Sequence, residues 1–385
     1  MIKKICVFIG SRANYSSIKS VMIEIKKTKK LQLQTILGAS AVLNKYGELE
    51  KLIRQDGFKI DKKIFFLIEG ENPVTMAKST GLGLIGISEV FDDLKPDLVI
   101  TIGDRFETMA TTLAAAYMNI PLAHTMGGEV TGTIDESIRH AVTKFAHVHF
   151  PASKGAAERI YKLGENKKSI FNFGCPRIDL IKQELKKNKI NEINSNIFNE
   201  GVGPKLNLKK TFLVVSQHPV TTEYGNSEKQ IINTLKAVSR TNLQAIVLWP
   251  NADAGSDDIA RGMRKWREKF NTDKMHFFKN LKTEYYIHLL NHTSCLIGNS
   301  SSGIRDGAYI GTPVVNIGSR QNSRERSNNV KDVGYNENDI FNAIKFQLKK
   351  KYKSNILYGS GNAAKKIVKK LASIKSIIIQ KKIRY

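Results

Sequence analysis

The run His124-Thr-Met126-Gly127-Gly128-Glu129-Val-Thr131-Gly-Thr133-Ile-Asp135-Glu136-Ser-Ile-Arg139-His140 gathers Glu129, Asp135 and Glu136 beside Arg139. Grouped carboxylates suit carbon-acid or glycosyl-bond chemistry, in which one group accepts a proton and another donates one. The same run also reads as an N-capped helix with acids near its positive end, and the two readings are compatible. After the apolar run DLVITI comes Gly103-Asp104-Arg105-Phe106-Glu107, which sets a carboxylate and a guanidinium at a strand end; an Asp there also serves as an N-cap. Further along, FLVVS delivers Ser216-Gln217-His218-Pro219. The proline stops the strand and leaves the imidazole at the rim, open to a ligand or catalytic role.

Two further turns suit phosphate. ICVFIG runs into Gly10-Ser11-Arg12-Ala13-Asn14-Tyr15, where free helix amides and an arginine can hold an anion. SCLIG runs into Asn299-Ser300-Ser301-Ser302-Gly303-Ile304-Arg305-Asp306, whose amides and hydroxyls can cradle a diphosphate while an acid one or two turns later grips ribose hydroxyls. The turn lacks the Gly-Lys-Ser/Thr ending of a P-loop, which points away from an NTPase. Gly81-Leu-Gly83-Leu-Ile-Gly86 fits a dinucleotide fingerprint in letters alone; it follows VTMAKST, not a strand, so no nicotinamide or other cofactor is expected. His288 with His292, and His147 with His149, lack a third ligand, so no metal is expected.

These turns need elements to carry them. The runs ICVFI, LQTIL, DLVITI, HVHFP, FLVVS, AIVLWP, SCLIG and PVVNIG alternate with helix-like segments, the pattern of parallel sheets covered by helices. At 385 residues the chain exceeds one hydrophobic core, which predicts two domains and a cleft. Apolar periodicity fades between Lys182 and Lys210, so that stretch reads as a linker or surface excursion. It divides two α/β halves, 1–180 and 205–360, and a basic helical stretch over 363–385 is expected to pack back on the first. A composition of 41% hydrophobic and 25% charged residues is that of a globular protein.

No apolar run approaches the ~20 residues of a membrane span, and the short run before Gly10 reads as a first strand rather than a signal peptide. Cys6, Cys175 and Cys295 are odd in number and form no C-x-x-C pair, which fits a reducing cytoplasm. The net charge of +26 raises a nucleic-acid or membrane partner, yet the lysines are scattered and no nucleic-acid-binding signature accompanies them. Neither partner is expected; the positive field equally suits a dianionic nucleotide-sugar.

Taken together, GSRANYSSIK, GDRFE, HTMGGEVTGTIDESIRHAVTKFAH, QHP, WPNADAGS and GNSSSGIRDGAYIGTPVVNIGSRQ, in this order between Lys4 and Val333, resemble the hydrolysing UDP-N-acetylglucosamine 2-epimerases of sialic-acid-type sugar biosynthesis. The resemblance implies two Rossmann-like doubly wound domains in a GT-B arrangement, with sugar chemistry on the first and the nucleotide on the second. It implies loss of the C2 proton, expulsion of the nucleoside diphosphate to give a glycal, and addition of water, without a cofactor. Asp104, Glu129, Asp135, Glu136 and His218 fall on the catalytic positions around the sugar. Arg12, Ser300, Ser301, Ser302 and Arg320 fall on diphosphate or nucleotide positions, and Asp306 on that of the ribose-binding acid, one methylene shorter than the usual Glu. Arg105, Arg139, Asn251 and Asp253 complete the implied substrate-binding set. Asn14 and Met126 stand where many relatives carry an acid, so neither serves as acid or base here. The resemblance also implies a homo-oligomer, a dimer or tetramer. The donor is UDP-N-acetylglucosamine or a UDP- or GDP-linked 2,4-diacetamido-2,4,6-trideoxyglucose of a legionaminic-acid-type pathway. A GT-B glycosyltransferase is the alternative from a different class.

Overall fold

The computed structural model describes residues 2–70, 72–187, 189–250, 253–270, 272–279, 281–382 and 384, with the backbone alone at residue 45. Asn251, one of the expected substrate-binding residues, lies outside the described residues. The chain divides into two units: residues 1–130, 134–180 and 358–385, and residues 131–133 and 181–357.

The first unit is built on β1 (Lys3–Ile9), β2 (Leu31–Leu37), β3 (Lys62–Lys63), β4 (Leu98–Ile102), β5 (Leu122–Thr125) and β6 (Val148–Phe150), all parallel, in the order β3-β2-β1-β4-β5-β6. Its helices are α1 (Arg12–Lys26), α2 (Leu49–Gln55), α3 (Pro73–Leu94), α4 (Phe106–Tyr117), α5 (Asp135–Phe145) and α6 (Lys154–Lys162). From α7 (Pro176–Glu184) the chain passes through α8 (Ile190–Asn196) into the second unit. There β7 (Phe212–Ser216), β8 (Gln244–Leu248), β9 (Met275–Phe278), β10 (Cys295–Gly298), β11 (Val314–Ile317) and β12 (Val330–Val333) form a second parallel sheet, ordered β12-β11-β10-β7-β8-β9. Its helices are α9 (Ser227–Arg240), α10 (Ser256–Lys269), α11 (Thr283–His292), α12 (Ser301–Ile310) and α13 (Glu337–Gln347), and α14 (Ala363–Ser373) returns to the first unit. Each sheet therefore has the 3-2-1-4-5-6 order of a doubly wound nucleotide-binding fold.

The expected α/β class holds for both units, and the physical reason is visible in the strands. LVITI and FLVVS are buried at every position, as strands covered by helices on both faces must be. In the second unit one face packs Leu213, Val215, Ile231 and Leu235, and the other packs Phe212, Val214, Ile246 and Leu289. The segment GLGLIG sits inside α3, which confirms that it is no dinucleotide loop.

Two expectations are corrected. The polar stretch from Lys182 to Lys210 is not a bare linker: α8 and the turn after it bury Ile193, Ile197 and Phe198, joined by Leu206 and Leu208, in the core of the second unit. The expected helix over 363–385 stops at Ser373. The β-branched run Ile377-Ile378-Ile379 disfavours helix, and the described residues that follow Ser373 form no regular element.

That segment is fastened to the rest of the first unit. Lys381 Nζ reaches Glu165 Oε2 at 2.6 Å, Lys144 Nζ reaches Glu165 Oε1 at 2.7 Å, and His149 Nε2 lies 3.1 Å from Glu165 Oε2. Burial pushes the Glu165 carboxyl up, but its hydrogen bonds to His149, Lys144 and Lys381 outweigh burial and hold it down at about 2. A carboxyl held below its unfolded-chain value stabilises fully above about pH 4.3, and this contribution is lost as pH falls towards 2. We expect the urea midpoint to fall between pH 5 and pH 2, and Glu165→Gln to remove roughly 3 kcal/mol of that acid dependence while lowering stability at pH 7. An unchanged acid limb in the variant would show that Glu165 is not held by this cluster.

Candidate active site

In each sheet the chain reverses direction of winding between two adjacent strands, β1 and β4 in the first, β7 and β10 in the second. Loops leaving the carboxyl ends of such a pair diverge to opposite faces and open a crevice between them. The turns after β1, β4, β7 and β10 stand at these two places, and the acid-rich run follows β5, the strand beside β4.

In the first unit, Ser11 caps α1 by accepting from the Asn14 N–H at 3.2 Å, and Asn14 Oδ1 accepts from the Gly10 N–H at 3.2 Å. Asn14 is thus a brace of the turn. Arg12 opens α1 and is half-buried. Across the crevice, Glu107 is fully buried, and Arg105 Nε donates to its Oε1 at 2.8 Å. A Cβ on Gly10 would lie 2.4 Å from Glu107 Cγ, so only glycine lets the β1 turn close over this pair.

Arg139, on the second turn of α5, has 1% of its surface exposed. Its Nη1 donates to the Glu129 carbonyl at 2.7 Å, and its Nη2 donates to Asp104 Oδ2. Burial works against the guanidinium charge, but Asp104, Glu129 and Asp135 outweigh it and raise its pKa above the ordinary arginine value. One side chain thereby joins the turns after β4 and β5. The turn after β5 is tight in its own right: Met126 is buried with a φ of 61°, a left-handed conformation rare for a non-glycine residue. Glu129 is 2% exposed. Asp135 and Glu136 form the first turn of α5, with Glu136 3.6 Å from His140, whose pKa burial and Arg139 both lower.

His124 has no part in the expected set but holds the frame. It is fully buried, its Nε2 lies 2.7 Å from the Gly103 carbonyl, and its Nδ1 lies 3.2 Å from Thr143 Oγ1. Burial pushes its pKa down to about 3, so it is neutral, with Nε2–H donating to Gly103 and Nδ1 accepting from Thr143. It ties the Asp104 turn to α5.

In the second unit, the His218 N–H donates to Asn299 Oδ1 at 2.7 Å, and Asn299 Nδ2 donates back to the His218 carbonyl at 2.9 Å. This pair locks the β7 turn to the β10 turn. Gly298, with a φ of 128°, makes it possible, because a Cβ there would meet the Ser216 carbonyl at 2.2 Å. Ser300 caps α12, its side chain accepting from the Ser302 N–H, and Ser301 opens the helix. Ser302 Oγ lies 2.5 Å from Tyr286 Oη. Asp306 sits on the same helix, 3% exposed. Arg320 Nη1 donates to the Asn299 carbonyl at 3.3 Å, and Arg320 Nη2 stands 3.9 Å from Asp253 Oδ2. Asp253 accepts from and is held by Ser256, which opens α10, with its N–H donating to Ser256 Oγ at 2.9 Å.

Within the first unit, then, Arg12, Asp104, Arg105, Glu129, Asp135, Glu136 and Arg139 gather at the carboxyl edge. Within the second, His218, Asp253, Ser300, Ser301, Ser302, Asp306 and Arg320 do the same. Sequence reasoning missed Asn299 and Tyr286 as partners of these groups, and Glu107 and His124 as their supports. Asn299 and Glu107 stood inside motifs already marked, and only the hydrogen-bonding needs of their neighbours would have singled them out. Among the described residues no group of three or more His, Cys, Asp or Glu is placed to hold a metal. His292 Nδ1 is engaged by the His288 carbonyl at 2.9 Å.

The model of the UDP-N-acetylglucosamine 2-epimerase family matches residues 23–372 of this chain. A Legionella pneumophila protein named UDP-N,N'-diacetylbacillosamine 2-epimerase (hydrolyzing) is 33% identical over 375 residues, 97% of each chain. A Campylobacter jejuni protein named GDP/UDP-N,N'-diacetylbacillosamine 2-epimerase (hydrolyzing) is 34% identical over 355 residues, 92% of this chain and 89% of that one. In fold, the crystal structure of the Neisseria meningitidis UDP-GlcNAc 2-epimerase superposes with a TM-score of 0.80 at 18% identity, over 96% of this chain and 99% of the other. With two Rossmann-like units and a family match over most of its length, this chain belongs to the UDP-N-acetylglucosamine 2-epimerase family.

Proposed function

We propose that the protein is a hydrolysing 2-epimerase that converts a UDP- or GDP-linked 2-acetamido sugar to the nucleoside diphosphate and the free sugar inverted at C2. The observation that carries this reading is the Arg139 clamp, which presents Asp104 and Glu129 together at one sheet edge, with Asp135 and Glu136 on the same helix as the arginine. Such a set supports proton transfer at a carbon acid. A carboxylate takes the C2 proton as the C1–O bond breaks and its electron pair leaves with the diphosphate. Water then adds its oxygen at C1, and an acid returns a proton to the opposite face of C2. Acid–base catalysis of this kind supplies ~10² to 10⁴-fold. The remainder falls to stabilisation of the departing diphosphate.

In this reading the first unit holds the proton-transfer groups, with Arg12 and Arg105 as further contacts, and the second holds the nucleotide. Ser300, Ser301, Ser302 and Arg320 bind the diphosphate end, Asp306 the ribose, and His218 the reacting sugar, with Asp253 a further substrate contact. The amides that open α12 and the guanidinium of Arg320 suit an anion. The protein acts as a homo-oligomer in the cytoplasm.

Two donors fit this reading. UDP-N-acetylglucosamine is the substrate in the family's name. A UDP- or GDP-linked 2,4-diacetamido-2,4,6-trideoxyglucose is favoured by the two relatives at 33% and 34% identity, both named for that sugar. Incubation with each donor, with nucleoside diphosphate quantified and the free sugar identified by NMR, separates them; no release from any donor ends the hydrolase reading. We expect Asp104→Asn, Glu129→Gln and His218→Ala each to lower kcat by about 10² to 10⁴-fold with the circular dichroism spectrum unchanged. Near-normal turnover in all three would remove the site assignment. Arg139→Lys keeps the charge but has no planar fork for two acceptors, and we expect it to lower kcat by about 10²-fold with a smaller change in KM.

A further inference from the structure

The cluster around Glu165 lies at the end of α5 away from Asp135 and Glu136, and the reaction proposed above makes no use of it. Besides Glu165, Lys381 Nζ donates to the carbonyls of Lys144 and Ala146 at 2.6 Å each, and lies 3.5 Å from that of Thr143. These are carbonyls that a helix end leaves without intrahelical partners, and a cation there complements the helix dipole. Lys144 Nζ closes the ring by donating to the Leu163 carbonyl at 2.9 Å and to Glu165. The segment that carries Lys381 is itself pinned at two places. His147 Nε2 bonds the Ile379 carbonyl at 3.0 Å, and Lys3 Nζ donates to the carbonyls of Leu371 and Ile374 at 3.2 and 2.5 Å. Behind it α14 buries Ala364, Ile367, Val368 and Leu371.

Stability alone gives little reason for this arrangement, because apolar side chains of similar size stabilise a buried site as well as an ion cluster does. Geometry gives a better one. The helix that Lys381 fastens carries Arg139 on its second turn, and Thr143 of its last turns bonds His124, which bonds Gly103 next to Asp104. A shift of α5 along its axis therefore moves Arg139 off Asp104 and the Glu129 carbonyl together. Lys381 also lies beyond residue 372, where the family match ends, so it is no part of the matched pattern.

We infer that Lys381 is a positioning residue: from outside the site it fixes α5 in the register at which Arg139 presents Asp104 and Glu129. The inference rests on the functional reading above, and its test has one arm that does not. In hydrogen-exchange mass spectrometry of the full chain, Lys381→Met should speed exchange across residues 135–146 and 103–105, and Lys381→Arg should restore it. Unchanged exchange in Lys381→Met overturns the inference whatever the assay shows. In steady-state kinetics at a temperature where both variants are fully folded, Lys381→Met should lower kcat by about ten- to a hundredfold, with the KM of the donor and the Kd of UDP within about twofold, and Lys381→Arg should recover most of the loss. Wild-type kcat in Lys381→Met, or a loss that merely follows the folded fraction, also overturns it. Absence of turnover in the wild-type protein sinks the functional reading instead and leaves the exchange result to decide the positioning role.

Discussion

A guanidinium with almost no exposed surface must have its charge met within the protein, and the first unit is arranged around that demand. Arg139 meets it with the Asp104 carboxylate and the Glu129 carbonyl. A buried charge that loses its partner costs several kcal/mol, so the two turns cannot drift from the arginine without penalty. This makes the turns after β4 and β5 a single rigid object. The neutral His124 adds a second tie between the same turn and the same helix, and its low pKa follows from burial, which outweighs the raising effect of its bond to the Gly103 carbonyl.

The second unit reaches a comparable rigidity around a neutral hydrogen-bonded pair. The paired bonds between His218 and Asn299 are side-chain amide to backbone, and the glycine at 298 is what allows the two strands' ends to come so close. Arg320 and Gln321 both donate to the carbonyl of Asn299, so the β10 turn is held from two sides. Both units thus fix the loops at their winding reversals, the place where a doubly wound sheet presents ligands. One does so with acids and a buried arginine, the other with serines, amides and Arg320. That division of chemistry matches the two ends of a nucleotide-sugar.

Much of this was legible in the residues, and the failures have physical causes. Long β-branched runs such as DLVITI and FLVVS announced buried parallel strands because both faces are covered. β5 and β9 did not, because LAHT and MHFF contain no Val or Ile, the residues by which the other runs were read. The site turns were found by their place after strands; their supports were not. Glu107 reads as an ordinary first-turn acid of a helix, and nothing in the letters says that Gly10 will sit on it. Lys381 is one lysine among many in a basic stretch, and its role needs the spatial meeting of residues more than two hundred positions apart.

The proposed reaction requires a carboxylate of the first unit to remove the hydrogen at C2. The most direct measurement is mass and NMR analysis of the sugar formed in D₂O. One deuterium at C2 for each nucleoside diphosphate released is the predicted result. Release of the diphosphate with the original hydrogen retained at C2 would contradict it, because plain hydrolysis or transfer at C1 never breaks that bond.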